Sequence, residues 1–142
     1  MKSRFGVFER FKGSTTLLIW GDEALGQLED LFRRLATGHA RAVDLAKTGW
    51  AAAEGNCAVT ISTTDKAVSD VILHRDGGRC AVDCQLSRED LQRFSEQIEA
   101  LNRVPNGHQY LDTKNVTLPL QIMVSKGEYP ATITSAVAGQ AL

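Results

Sequence analysis

The sequence predicts an α+β fold: a two-layer sandwich in which a mostly antiparallel sheet of about eight strands carries two helices on one face. Three observations lead there. A strand pair, a helix and a second strand pair are written once between about Phe5 and Thr64 and again between about Ser69 and Ser125. The helical stripes superpose at one constant offset, with Leu25, Leu28, Phe32 and Leu35 falling on Leu91, Phe94, Ile98 and Leu101. A short insertion around Val104, Pro105 and Asn106 then shifts the register, so that Gly38-His39 falls on Gly107-His108. Repetition at this period describes an architecture, here an internal ββαββ duplication with pseudo-twofold symmetry.

The chain has 142 residues, enough for one domain with a substantial core and too few for two independent ones, so the copies must share an interior. A content of 43% hydrophobic and 23% charged residues is that of an ordinary globular domain and suggests neither a disordered nor a membrane class. The net charge is −1, with lysine and arginine dispersed among the acids. Nucleic-acid binding needs a concentrated positive surface that displaces counterions, so nucleic acid is not an expected partner. The opening MKSRFGVFERFKG carries no continuous apolar run, and Leu17 to Trp20 is too short to serve; no signal peptide, spanning helix or membrane partner is expected. Cys57, Cys80 and Cys84 lack zinc-ligand spacing, and Cys80 and Cys84 stand about 13 Å apart along a strand. They read as buried reduced thiols, which suits a reducing, cytoplasmic location.

The elements follow in order. Phe5 to Phe11 forms a strand with Phe5, Val7 and Phe11 on one face and Phe8 on the other, Lys12-Gly13-Ser14 turns, and Thr15 to Trp20 returns. The first helix begins near Gly21 or Asp22, where Asp22 and Glu23 favour its positive end, and stops at Gly38. Ala40 to Leu45 is a weaker strand, Lys47 to Asn56 the longest loop, and Cys57 to Thr63 a strand with one dry face and one wet face. In the second copy Asp70 to His74 and a strand lined by Cys80, Val82 and Cys84 flank the turn Asp76-Gly77-Gly78. Ser87 with Asp90 opens the second helix, and Val104-Pro105-Asn106-Gly107 closes it. His108 to Asp112 and Leu118 to Ser125 complete the copy; Pro119 places the last strand at an edge or a bulge. The tail ATITSAVAGQAL, from about 131 to 142, is read as frayed after one short strand at most. One sheet face is left uncovered, holding Thr60, Ser62, Asp83, Gln121 and Met123, either as a solvated surface or as a docking area.

Candidate binding residues concentrate near the C-terminal end. His108, Tyr110 and Asp112 alternate along one strand and would share a face, able to hold a polar ligand or to let Asp112 orient a histidine. The plainer reading is that Tyr110 packs while His108 and Asp112 flank the strand at its wet ends. Glu128 and Tyr129, in the turn Lys126-Gly127-Glu128-Tyr129-Pro130, offer an acid and an aromatic anchor, or simply a turn. Trp50 either caps the core or stands exposed as an anchor. His39, His74 and His108 share no ligand spacing, so no metal is expected, and with neither a GxSxG elbow nor a phosphate- or dinucleotide-binding glycine loop, no cofactor and no catalytic residue is assigned.

Two functional classes remain. The first is a non-catalytic protein-binding domain acting by stoichiometric contact, such as an inhibitor, an immunity-type protein or an accessory subunit, with a protein partner or a homodimer. The second is a small-molecule binder or enzyme. If the first strand is set aside and one is granted from the tail, the element order resembles the vicinal oxygen chelate arrangement, whose paired βαβββ modules form a cup around a metal or drug. That family places His or Glu on matching strands of both modules; here those positions hold Leu17, Ile19, Cys80 and Cys84, and a cavity lined by His108, Tyr110 and Cys84 would be needed.

Overall fold

The first two apolar runs form an antiparallel hairpin of β1 (Ser3–Phe11) and β2 (Ser14–Gly21) in a computed structural model that describes residues 3–21 and 25–130. The expected helix start at Asp22 and Glu23 and the tail after Pro130 lie outside the described residues. α1 (Leu25–Thr37) buries Leu25, Leu28, Leu31, Phe32 and Leu35, the stripe that three-and-four spacing demands. β3 (Ala42–Asp44), a 3-10 turn (Leu45–Lys47), β4 (Ala51–Ala53) and β5 (Cys57–Thr64) follow. β6 (Asp70–Asp76) and β7 (Arg79–Ser87) are joined at Gly77 and Gly78, whose φ of +55° and +82° match the double left-handed turn that a twisted hairpin requires. α2 (Arg88–Asn102) is capped as its sequence directs, with the Ser87 hydroxyl accepting from the Asp90 amide at 3.2 Å. β8 (Gly107–Tyr110) and β9 (Gln121–Lys126) form the last hairpin.

The nine strands of the described residues build two mixed sheets where the sequence suggests one, mostly antiparallel. The first has the order β4-β1-β2-β9-β8 and the second β3-β5-β7-β6. Three pairings are parallel: β1 with β4, β2 with β9 and β5 with β7. Each joins strands far apart in sequence, and local turn chemistry carries no information about such partners. The last hairpin therefore adds to the first, while β5 adds to the middle one. β9 lies inside its sheet between β2 and β8, not at an edge; Pro119, which cannot donate to a ladder, falls just before the strand and shortens it at the N-terminal end.

A large core gathers the inward residues of both sheets, among them Phe5, Ile19, Val82 and Val124, around the stripes of both helices. The helices meet directly, with Phe32 and Phe94 edge to face at 6.0 Å between ring centroids. Each such side chain contributes about 1.5–3 kcal/mol by leaving water. A second cluster of Phe8, Phe11, Leu18, Trp20 and Met123 lies on the opposite face of the five-stranded sheet. Here Phe11 departs from its expected face. The β1–β2 register shifts between Phe8 and Phe11, with Arg10 and Lys12 at positive φ, so the bulge turns Phe11 to the side of Phe8, at 6.3 Å between rings.

The single uncovered face is corrected accordingly. Met123 is fully buried in the second cluster, whereas Thr60, Ser62 and Asp83 are half-buried on the outward face of the four-stranded sheet. One consequence of two sheets is that their outward faces differ in character: one is aromatic and buried, the other polar.

Candidate functional site

The residues singled out at the end of the chain divide into three places. His108 and Tyr110 share the outward face of β8, their rings edge to face at 5.6 Å, and His108 lies opposite Ser125 in the β8–β9 register. The turn after β9 brings Glu128 to this face. Its carboxylate lies 3.0 and 3.2 Å from His108 Nδ1 and accepts from Ser125 Oγ at 2.7 Å. The His108 and Glu128 side chains are each about one-third exposed, at 34% and 31%. Within the same turn Tyr129 packs its ring at 5.8 Å from Phe11, and the Pro130 carbonyl accepts from Trp20 Nε1 at 2.9 Å. These contacts use the hydrogen-bonding capacity of the imidazole, hydroxyl and carboxylate on one another and pin the turn across the aromatic cluster.

Asp112 is elsewhere. It follows β8, its backbone carbonyl accepts from Arg93, and it lines an open groove of about 610 Å³ with Thr15, Leu118, Pro119 and Gln121. On the rim of that groove Val116 is 94% exposed. Trp50 is half-buried against the large core and borders a separate shallow pocket beneath α1 with Gln27, Asp30 and Arg34. Cys84 faces the shared core from the four-stranded sheet, whereas His108 and Tyr110 lie on the far face of the five-stranded sheet, so these three side chains do not line one cavity. Among the described residues, no three His, Cys, Asp or Glu side chains are placed to hold a metal ion.

A further feature was not anticipated. β6 ends the four-stranded sheet, paired with β7 on one side and with no strand of the described residues on the other. It has seven residues, against three in β3, three in β4 and four in β8, the other sheet ends. The end at β8 is blunted, because Gln97 Nε2 donates to the Tyr110 carbonyl at 3.0 Å. In β6 the Val71 amide bonds its own neighbour, Asp70 Oδ1, at 2.9 Å. Backbone groups alternate in direction along an antiparallel strand, so Val71, Leu73 and Arg75 turn theirs away from β7. The outward sheet face of β6 shows Asp70, Ile72 and His74; its inward face shows Val71, Leu73 and Arg75. The sequence signal was present: three successive apolar residues, Val71-Ile72-Leu73, bounded by charges and free of proline.

The base of this edge is held firmly. Ser69, fully buried, donates to Asp90 Oδ2 at 2.5 Å and accepts from the Ser87 amide at 2.8 Å, while Asn115 Nδ2 donates to the Ser69 carbonyl at 3.1 Å. The network ties the start of β6 to the N-terminus of α2 and to the loop before β9. At the other end Arg75 reaches Glu9 of β1 at 3.4 Å.

Comparison with protein-family models, curated proteins and solved structures finds no significant match to this chain. No helix among the described residues is long and apolar enough to cross a membrane.

Proposed function

We propose that the chain is a non-catalytic protein-binding domain that works by stoichiometric contact, and that its docking element is the open edge of β6. The observation that carries this reading is the length of that edge: seven residues, of which Val71, Leu73 and Arg75 turn their backbone groups outward, where the other sheet ends among the described residues have three or four residues in all. Such an edge gains hydrogen bonds by strand addition, and alternate side chains set its specificity. The strand best matched to it is β6 of a second copy. In the antiparallel register that sets Ile72 opposite Ile72, Val71 faces Leu73 through the outward backbone groups, and Asp70 stands opposite His74 twice. Moving the centre to Leu73 sets Asp70 opposite Asp76, a like-charge contact that disfavours the alternative. Pairing in this way would extend the sheet through two copies.

Support for an internal duplication comes from the same topology. The order β1-β2-β9-β8 in one sheet corresponds to β6-β7-β5-β3 in the other, each with a parallel seam in the middle and antiparallel pairs on both sides. We read the chain as two ββαββ units that exchange their final strand pairs, β4 being an addition to the first sheet alone.

Light scattering across a concentration series tests the docking. The expected mass is twice the 15.5 kDa of one chain. Ile72→Lys should give single chains with an unchanged circular dichroism spectrum. His74→Asp should weaken pairing, and the double variant Asp70→Lys with His74→Asp should restore it. A wild-type chain that stays single at 100 μM, or an Ile72→Lys variant as dimeric as the wild type, overturns the assignment.

A further inference from the structure

The four-stranded sheet brings two thiols into register. Cys57, the first residue of β5, and Cys80, near the start of β7, are direct partners across the parallel seam, with their sulfur atoms 3.9 Å apart. Register partners in adjacent strands have Cα atoms about 4.8 Å apart. That lies inside the roughly 4.4–6.8 Å range of disulfides, whose sulfurs sit about 2.05 Å apart. Closing the pair therefore asks the two sulfurs to approach by about 2 Å. Both residues stand at a strand end beside a turn, Gly55-Asn56 before Cys57 and Gly77-Gly78 before Arg79 and Cys80, where such movement is least resisted.

Access is provided as well. Cys57 and Cys80 line an open pocket of about 510 Å³ with Asn56, His74, Asp76 and Arg79. All three thiols are buried, but Cys84 differs on both counts: its partner across the seam is Ile61, not a cysteine, and it does not line the pocket.

We propose that Cys57 and Cys80 form a reversible dithiol–disulfide site, oxidised by hydrogen peroxide or a similar small peroxide, which staples β5 to β7. Cys80 is the attacking thiol, since Arg75 stands opposite it in the β6–β7 register and the sulfur of Cys57, the resolving thiol, lies 3.9 Å away. Its thiolate attacks one peroxide oxygen and breaks the O–O bond, giving a sulfenic acid and hydroxide, which takes up a proton as water. Cys57 then attacks that sulfur and the sulfenic hydroxyl leaves as a second water. In total two thiols lose two protons and two electrons, and one peroxide becomes two waters. The bond closes a loop of about two dozen residues and crosses the seam between the two halves of the chain. Burial raises both thiols above their ordinary range, so oxidation is slow near neutrality and accelerates with pH.

Peroxide treatment of the reduced protein, followed by alkylation in denaturant and peptide mapping, tests the site. The expected product is 2 Da lighter, holds a Cys57–Cys80 linked peptide and leaves Cys84 alkylated; dithiothreitol reverses it. The rate should rise about tenfold from pH 7.5 to pH 8.5, following the thiolate fraction. Cys84→Val should form the same bond, and Cys57→Ser or Cys80→Ser should not. The oxidised form should show a higher urea midpoint than the reduced form. A linked peptide containing Cys84, irreversible sulfinic acid at Cys80 without a cross-link, or an unchanged urea midpoint overturns the proposal, and the wild-type map decides it even where a serine variant fails to fold.

Discussion

Replacing Ser69 by alanine removes one oxygen that serves two buried partners. The Ser69 hydroxyl donates to the Asp90 carboxylate and accepts from the Ser87 amide, and Ser69 and Asp90 are at most 1% exposed. A hydrogen bond to a charged group is worth about 1.5–3 kcal/mol, and a buried donor left without an acceptor costs about 1–3 kcal/mol. The expected loss for Ser69→Ala is therefore about 3 kcal/mol. Asp90→Ala should cost about as much, because it strands the Ser69 hydroxyl, breaks the 2.8 Å contact with Arg93 and removes an acid from the positive end of α2. Because both variants break the same contact, the double variant should lose about 2 kcal/mol less than the sum of the singles. Urea unfolding followed by circular dichroism measures all three. Single losses that add to within about 0.5 kcal/mol, or a Ser69→Ala loss below that value, would refute the claim that this network anchors β6 to α2.

Three further outcomes are expected. Gly127 has φ of +70°, and a Cβ there would stand 3.0 Å from the Pro105 carbonyl oxygen and 3.2 Å from Asn106 Cβ; Gly127→Ala should lower stability by about 1–3 kcal/mol and weaken the His108–Glu128 contact, visible as a shift of the His108 ring resonances. Trp20→Phe deletes the bond to the Pro130 carbonyl and should cost about 1 kcal/mol in urea unfolding, with the rest of the aromatic cluster retained. Burial pushes the Cys84 thiol from 9.0 up to about 12, so below pH 9 both folded and unfolded chains keep this proton and the group is neutral to stability. Between pH 9 and 12 only the unfolded chain releases it, and stability should fall by about 1.4 kcal/mol per pH unit from this thiol; Cys84→Val should reduce the measured slope by that amount.

What could be read in advance depended on how local each determinant was. The helical stripes, the Ser87–Asp90 cap and the turn at Gly77-Gly78 are set by neighbours in sequence, and the structure places them as the residues direct. β4 was hidden because Ala51, Ala52 and Ala53 have little intrinsic preference for a strand; backbone pairing to Ser3, Arg4 and Phe5 makes it one. The division into two sheets escaped for a related reason, since it rests on parallel pairings between β2 and β9 and between β5 and β7 that local turn chemistry does not specify. Phe11 changed faces through one bulge, as a period-two pattern must once an extra residue enters. Of the candidate binding residues, His108, Tyr110, Glu128 and Tyr129 are gathered by the turn after β9, a tertiary event, while Asp112 and Trp50 lie apart from them. The edge of β6 could not be recognised as an edge until the sheet order was known.

Hydrogen–deuterium exchange of β6 at several protein concentrations tests the docking assignment most directly, because it reads the backbone groups on which that assignment rests. The amide of Leu73, opposite Val71 in the paired register, should become more protected as concentration rises, and Ile72→Lys should abolish the dependence. Exchange at Leu73 that is identical from micromolar to near-millimolar chain would contradict the assignment.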